Sequence, residues 1–119
     1  MIQATDLKIG NWFIGYDNKP FAWELADFGA MNKGIGIDEI IKMRIKLTSE
    51  ILAKCGFEKK LLCKFDEWED CFAKWSLVIT QRRNLYFIDW LGGNTQIEYL
   101  HELQNVHYAL LKEELEFKP

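Results

Sequence analysis

No stretch of this 119-residue sequence approaches the roughly 20 apolar residues of a membrane-spanning helix. The opening "MIQATDLKIG" has neither the basic start nor the long apolar run of a secretory leader. The expectation is therefore a cytoplasmic protein. Cysteine is sparse: Cys55, Cys63 and Cys71 stand eight residues apart. That odd number and spacing fit neither a Cys-x-x-Cys metal knuckle nor a disulfide framework, so all three are predicted to be reduced. There is no Gly-x-x-x-x-Gly-Lys-Ser/Thr, no Gly-x-Gly-x-x-Gly, no His-Glu-x-x-His and no Gly-x-Ser-x-Gly. The sequence thus offers no motif for an enzyme, and no catalytic residue or cofactor is predicted.

Charge of one sign is also lacking. Residues 1–60 carry nine Lys/Arg against eight Asp/Glu and residues 61–119 carry six against ten, which gives the net charge of −3. So mild a balance argues against a dedicated duplex-DNA binder, whose affinity rests on clustered basic side chains.

Hydrophobic residues at 49% and charged residues at 28% are ordinary globular values. A chain of this length can bury one core without staples, which predicts a single α+β domain over residues 1–119. Five tryptophans are many for its size, and one or two exposed anchors for a partner are to be expected.

Patterning supplies the elements. "LKIGNWFI" reads as a first strand kinked at Gly10-Asn11, and "FAWEL" as a second with Phe21, Trp23 and Leu25 on one face. "IKMRIKL" alternates throughout, which puts Ile41, Met43, Ile45 and Leu47 inward and Lys42, Arg44 and Lys46 outward. These strands, separated by turns, suggest a small bent N-terminal sheet of SH3-like half-barrel type. "TSEILAKCGF" is a short helix with both ends written in: Thr48 to cap, Glu50 at the positive end of the dipole, Gly56 to stop it and Phe57 to pack back on Leu52.

"LLCKFDEWEDCFAKW" fits neither period well and reads either as an irregular strand pair or as a loop. "WSLVIT" and "LYFIDW" form a hairpin about the polar "QRRN", and "TQIEY" adds a further strand to an antiparallel meander. The last helix places Leu100, Leu103, Val106, His107, Leu110 and Leu111 on one face, which is expected to cover the meander.

Three surfaces are candidates for binding. Lys42, Arg44 and Lys46, with Arg82 and Arg83 at the hairpin tip, are spaced to meet nucleic-acid phosphates; the plainer reading is a solvated strand face. Asp66, Glu67, Glu69 and Asp70 surround Trp68, an acidic cluster around an aromatic suited to a basic groove; the plainer reading is a charged loop with a half-buried Trp. His101, Gln104 and Asn105 form the third and read more readily as solvated or as capping nearby backbone. His107 is six positions from His101, so the two cannot share a metal on one helix face, and no metal site is predicted.

"LKIGNWF", "IKLTSEILAKCGFEK" and "IEYLHELQNVHYALLKEELEF" together make a little over a third of the chain, and in these segments it resembles a family of small proteins encoded in bacteriophages, prophages and related bacterial genomes. The family offers no catalytic residues to carry over. Its relatives carry Tyr or Phe near His107 and a Thr-Gly pair near Leu111-Lys112, so the resemblance implies that this chain ends its last helix differently. It further implies an inhibitor of a bacterial defence system, including the anti-CRISPR class. Such an inhibitor would act by direct binding to an RNA-guided CRISPR effector nuclease, or to its guide-RNA complex, inside an infected host. The alternative is a nucleic-acid-binding accessory protein of phage replication or expression, with RNA contact.

Overall fold

The computed structural model describes residues 7–64, 67–74, 77–90 and 93–119, of which 60–64, 67–70, 89–90 and 93–94 are described as backbone. The elements run β1 (Trp12–Ile14), β2 (Pro20–Ala22), α1 (Leu25–Asn32), α2 (Ile37–Ile40), β3 (Met43–Arg44), α3 (Ser49–Lys54), β4 (Glu58–Lys64), β5 (Glu67–Lys74), β6 (Leu77–Arg82), β7 (Leu85–Trp90), β8 (Gly93–Ile97) and α4 (Leu100–Leu111). This is an α+β fold with two antiparallel sheets, in two compact units: Met1–Lys46 with Tyr99–Glu114, and Leu47–Glu98 with Leu115–Pro119.

In the first unit the strand order is β2-β1-β3. The kink expected at Gly10 is present: its φ of +96° lies in the left-handed region that glycine enters without steric cost. The Gly10 amide donates to the Trp23 carbonyl at 2.8 Å, and the Trp23 amide to the Asn11 carbonyl at 2.6 Å. Phe13, Trp23 and Ile41 form the buried centre, with Phe28 and Met31 of α1 and Ile37 and Ile40 of α2 packed against it. The rings of Phe13 and Phe28 stand nearly perpendicular to Trp23, with centroids 6.3 and 5.4 Å away. Such T-shaped contacts favour one arrangement beyond the area they bury.

Two sequence expectations change here. The second strand ends at Ala22, because Glu24 starts α1 instead of continuing the strand: its amide donates to the Asp27 carboxylate at 2.8 Å. Leu25 is then 72% exposed at the head of that helix. The alternation through residues 41–47 also fails at its middle. Arg44 pairs directly with Phe13 and so shares the core side of the sheet, whereas Met43 pairs with Ile14 on the other side and is 55% exposed. Ile41, Ile45 and Leu47 are buried as expected.

The second unit follows its sequence more closely. Thr48 Oγ1 accepts from the Ile51 amide at 3.1 Å and caps α3. At the other end Gly56 takes φ +89°, its amide donates to the Ala53 carbonyl at 3.0 Å, and the Phe57 amide donates to Leu52 at 3.1 Å. That is the Schellman arrangement.

β4 to β8 form a meander in sequence order. Within the ambiguous stretch 61–75, residues 61–64 and 67–74 therefore take the strand-pair alternative, with Lys64 opposite Glu67. The hairpin turn is tighter than its polar "QRRN" suggested. Arg82 pairs with Leu85, leaving Arg83 and Asn84 as a two-residue loop with φ of +51° and +65°. Both positive angles define a type I′ turn, whose twist matches the strands it joins. Phe72, Ile79 and Ile88 are buried cross-strand neighbours, and the buried Tyr86 and Ile97 pair on the adjoining strands.

α4 belongs to the first unit and packs on β1. Its buried residues are Leu100, His101, Leu103, Gln104 and His107, while Leu110 is 43% exposed. The buried stripe is rotated toward the polar side of the helix because β1 offers backbone groups that polar side chains satisfy. Lys112 ends the helix in the left-handed conformation, φ +58°.

Candidate functional site

The polar residues of α4 converge on the chain entering β1. Gln104 is 1% exposed. Its Oε1 accepts from the Trp12 amide at 2.9 Å and its Nε2 donates to the Gly10 carbonyl at 2.9 Å. Asn105 Oδ1 accepts from Asn11 Nδ2 at 3.0 Å, while Asn11 Oδ1 accepts from the Lys8 amide at 2.7 Å. One carboxamide thus satisfies the donor and acceptor that the Gly10 kink removes from strand pairing, where leaving them buried and unpaired is costly. Of the two plain readings of this third surface, solvated or capping backbone, the geometry gives the second. What the sequence could not convey was the distance along the chain, 92 to 94 residues.

Next to this lies a layered stack. The Arg44 guanidinium sits 3.8 Å from the centroid of Tyr99, and one of its nitrogens donates to the Tyr99 hydroxyl at 3.1 Å. Tyr99 stacks on His101 at 6.1 Å, and His101 lies 5.2 Å from Phe13. The Tyr99 amide is held by Glu102 Oε1 at 2.9 Å, which fixes the start of α4. Further along α4, His107 is buried, its Nδ1 2.7 Å from the Glu113 carbonyl oxygen, to which it donates.

The basic candidates fare unevenly. Arg44 is half-buried and committed to Tyr99, Lys42 Nζ donates to Asn18 Oδ1, and Lys46 is exposed. These three are in the first unit, while Arg82 and Arg83 are exposed at the β6–β7 tip of the second. The acidic candidates Glu67, Trp68, Glu69 and Asp70 are on β5, opposite Lys64, Cys63, Leu62 and Leu61 of β4. Their side chains, and all of Asp66, lie outside the described residues.

Cys55 and Cys71 are free thiols and buried; the side chain of Cys63 is not among those described. Burial pushes the Cys55 thiol up to about 12, against a smaller lowering by the Lys74 ammonium, whose Nζ donates to the Cys55 carbonyl at 3.0 Å. A thiol this reluctant to ionise is a poor nucleophile. Among the described residues no group of three His, Cys, Asp or Glu is placed to hold a metal ion, and no helix is long and apolar enough to cross a membrane.

Compared with known proteins, the chain matches no family model, no curated protein and no solved structure.

Proposed function

We propose that this protein acts by binding, as a non-catalytic phage-type inhibitor of a bacterial defence system, with an RNA-guided CRISPR nuclease or its guide-RNA complex as the target. The observation that supports a binding role is the fate of the polar residues on α4. Gln104 and Asn105 are spent on Asn11 and on the backbone at Gly10 and Trp12, and His101 is stacked between Phe13 and Tyr99. Side chains so engaged serve the fold, which supports recognition through other surfaces as the mode of action.

The target class follows from the family resemblance and from the acidic sequence on β5. RNA-guided nucleases carry nucleic acid in positively charged channels, to which carboxylates at Glu67, Glu69 and Asp70 would be steered, with Trp68 as the anchor. Trp68→Ala is expected to speed dissociation, and neutralising the acids to slow association. The direct test is phage plaquing on hosts carrying different CRISPR types, with and without this gene, together with a pull-down from the host. Restored plaquing against one type with that nuclease in the pull-down supports the reading. No restoration against any type and no nuclease recovered would sink it.

A further inference from the structure

We propose that β4 is a self-association edge: two copies of the chain pair their β4 strands antiparallel about a two-fold axis at Leu61 and join their meanders into one continuous sheet. The inference goes beyond the inhibitor reading and does not rest on it. In the strand order β4-β5-β6-β7-β8, β4 closes one side and β8 the other. The two edges differ. β8 is five residues long, opens on Gly93 and is met just past its end by the chain, where the Leu47 amide donates to the Glu98 carbonyl at 2.9 Å. β4 runs seven residues, Glu58–Lys64, which is about 24 Å of backbone. It starts with the exposed Glu58 and Lys59. An edge of that length is a template for another strand.

The order of charges along β4 selects the occupant. Opposed residues of an antiparallel pair share a face and a hydrogen-bonding orientation, so two identical strands in one sheet meet with a residue opposite itself on the axis. Of the registers that pair five residues or more, the one centred on Lys60 sets Lys60 against itself. The one centred on Leu62 sets Lys60 against the partner's Lys64, twice over. The register centred on Leu61 pairs all seven residues: Glu58 with Lys64 at both ends, Lys59 with Cys63, and Lys60 with Leu62. No like charges are opposed there. Like charges directly opposite destabilise a strand pair and unlike charges stabilise it. Lysines on an edge ordinarily refuse a second strand; the position of Glu58 exempts a second copy in this one register. Seven paired residues supply about six to eight backbone hydrogen bonds. An edge contact alone buries less than a standard interface, so the association is weak and dependent on concentration.

The experiment is sedimentation equilibrium of the full chain from roughly 1 µM to 1 mM, with a thermal melt of each variant to confirm its fold. The wild type is expected to show a monomer–dimer equilibrium. Glu58→Lys and Lys64→Glu each turn both end pairs from unlike to like charge, and each alone should weaken the dimer roughly tenfold. In an equimolar mixture the two changes face each other, both end pairs are again of unlike charge, and affinity should return to within about twofold of the wild type. Register is read by cross-linking with diamide. Lys59→Cys sets a thiol opposite the partner's Cys63, where opposed Cα atoms about 4.5–5.5 Å apart suit a disulfide. Lys60→Cys, opposite Leu62, should give little covalent dimer. The proposal is overturned by a monomer at every concentration, by a dimer that neither charge change weakens, by a mixture that associates no more tightly than either variant alone, or by equal covalent dimer from the two cysteine variants.

Discussion

The strands of the first unit are two or three residues long, whereas those of the meander run from five to eight, and what holds each unit together differs accordingly. A long strand satisfies its amides and carbonyls in the ladder, and its neighbours lie next in sequence. A three-residue strand cannot. In the first unit the missing partners of Gly10 and Trp12 come from a side chain far along the chain, Gln104, while Asn105 holds the side chain of Asn11. The lesson is that a short sheet draws its specificity from a few polar side chains, each carrying more than one bond, and from a tightly packed aromatic centre.

The largest expected effect tests that centre. Phe13 is fully buried between Phe21, Trp23 and His101, so Phe13→Ala should cost about 3–5 kcal/mol. If the chain melts as one cooperative domain, amide exchange in the meander will quicken by the same free energy as in β1. A loss confined to residues 7–46 and 99–114 would instead make the two units independent in stability, and calorimetry would then resolve two transitions.

A pair of substitutions sharpens the contrast in polar bonding. Gln104→Ala removes the partner of the part-buried Trp12 amide and Gly10 carbonyl, for a loss of about 2–4 kcal/mol by denaturant unfolding. In the meander, Thr80 is also fully buried, yet its hydroxyl has no partner among the described residues. Thr80→Val should accordingly be neutral or stabilising by up to about 1 kcal/mol. Equal losses from both changes would erase the distinction between a side chain that bonds and one that merely fills space.

The same contrast explains which parts of the fold were legible in the sequence. α3 and the strands β6 to β8 were readable because their information is local: Thr48 and Gly56 at the ends of one helix, turn residues between alternating strands; the β4–β5 stretch, whose apolar residues fit neither period, left strand pair and loop both open. The first unit was harder to read. Arg44 looks solvent-facing by alternation, and only the register with Phe13 and the presence of Tyr99, 55 residues away, turn it inward. Leu25 looked like a strand residue because Phe21 and Trp23 precede it at period two; the signal that overrides this is Asp27, three residues after Glu24. Of the candidate surfaces, the one on α4 could be identified as polar and useful to backbone, but which backbone was a question of tertiary structure.

The second unit has its own titratable element, and here the expected effect is a slope with pH. In the folded chain burial holds the Cys55 thiol protonated up to about 12, whereas the unfolded thiol ionises near 9.0. Between those values the unfolded state carries fewer protons, so stability falls as pH rises: the contribution is whole below about 9 and gone by about 12. The steepest part amounts to about 1.4 kcal/mol per pH unit. Unfolding measured at pH 8.5 and 10.5 should show the wild type losing about 2 kcal/mol more than Cys55→Ala. Parallel losses would place the alkaline sensitivity elsewhere.

The smallest effect concerns Arg44 and brings the first unit back to the question of its surface. A guanidinium 3.8 Å over Tyr99, with a bond to the hydroxyl, combines stacking with a directed fork. Lysine keeps the charge but has neither the plane nor the geometry. Arg44→Lys is therefore expected to cost about 0.5–1 kcal/mol, a fall in Tm of roughly 2–5 °C. Lys46→Ala, at an exposed position, should stay within about 0.5 kcal/mol. If the stripe of Lys42, Arg44 and Lys46 were a phosphate-binding face, Arg44→Lys would instead leave Tm unchanged and alter nucleic-acid affinity together with its neighbours. A stability loss peculiar to Arg44 assigns that residue to the fold. Unequal roles along a sequence-regular stripe then follow from one fact: Arg44 pairs with Phe13, which carries its side chain to the Tyr99 ring and withdraws it from a shared basic face.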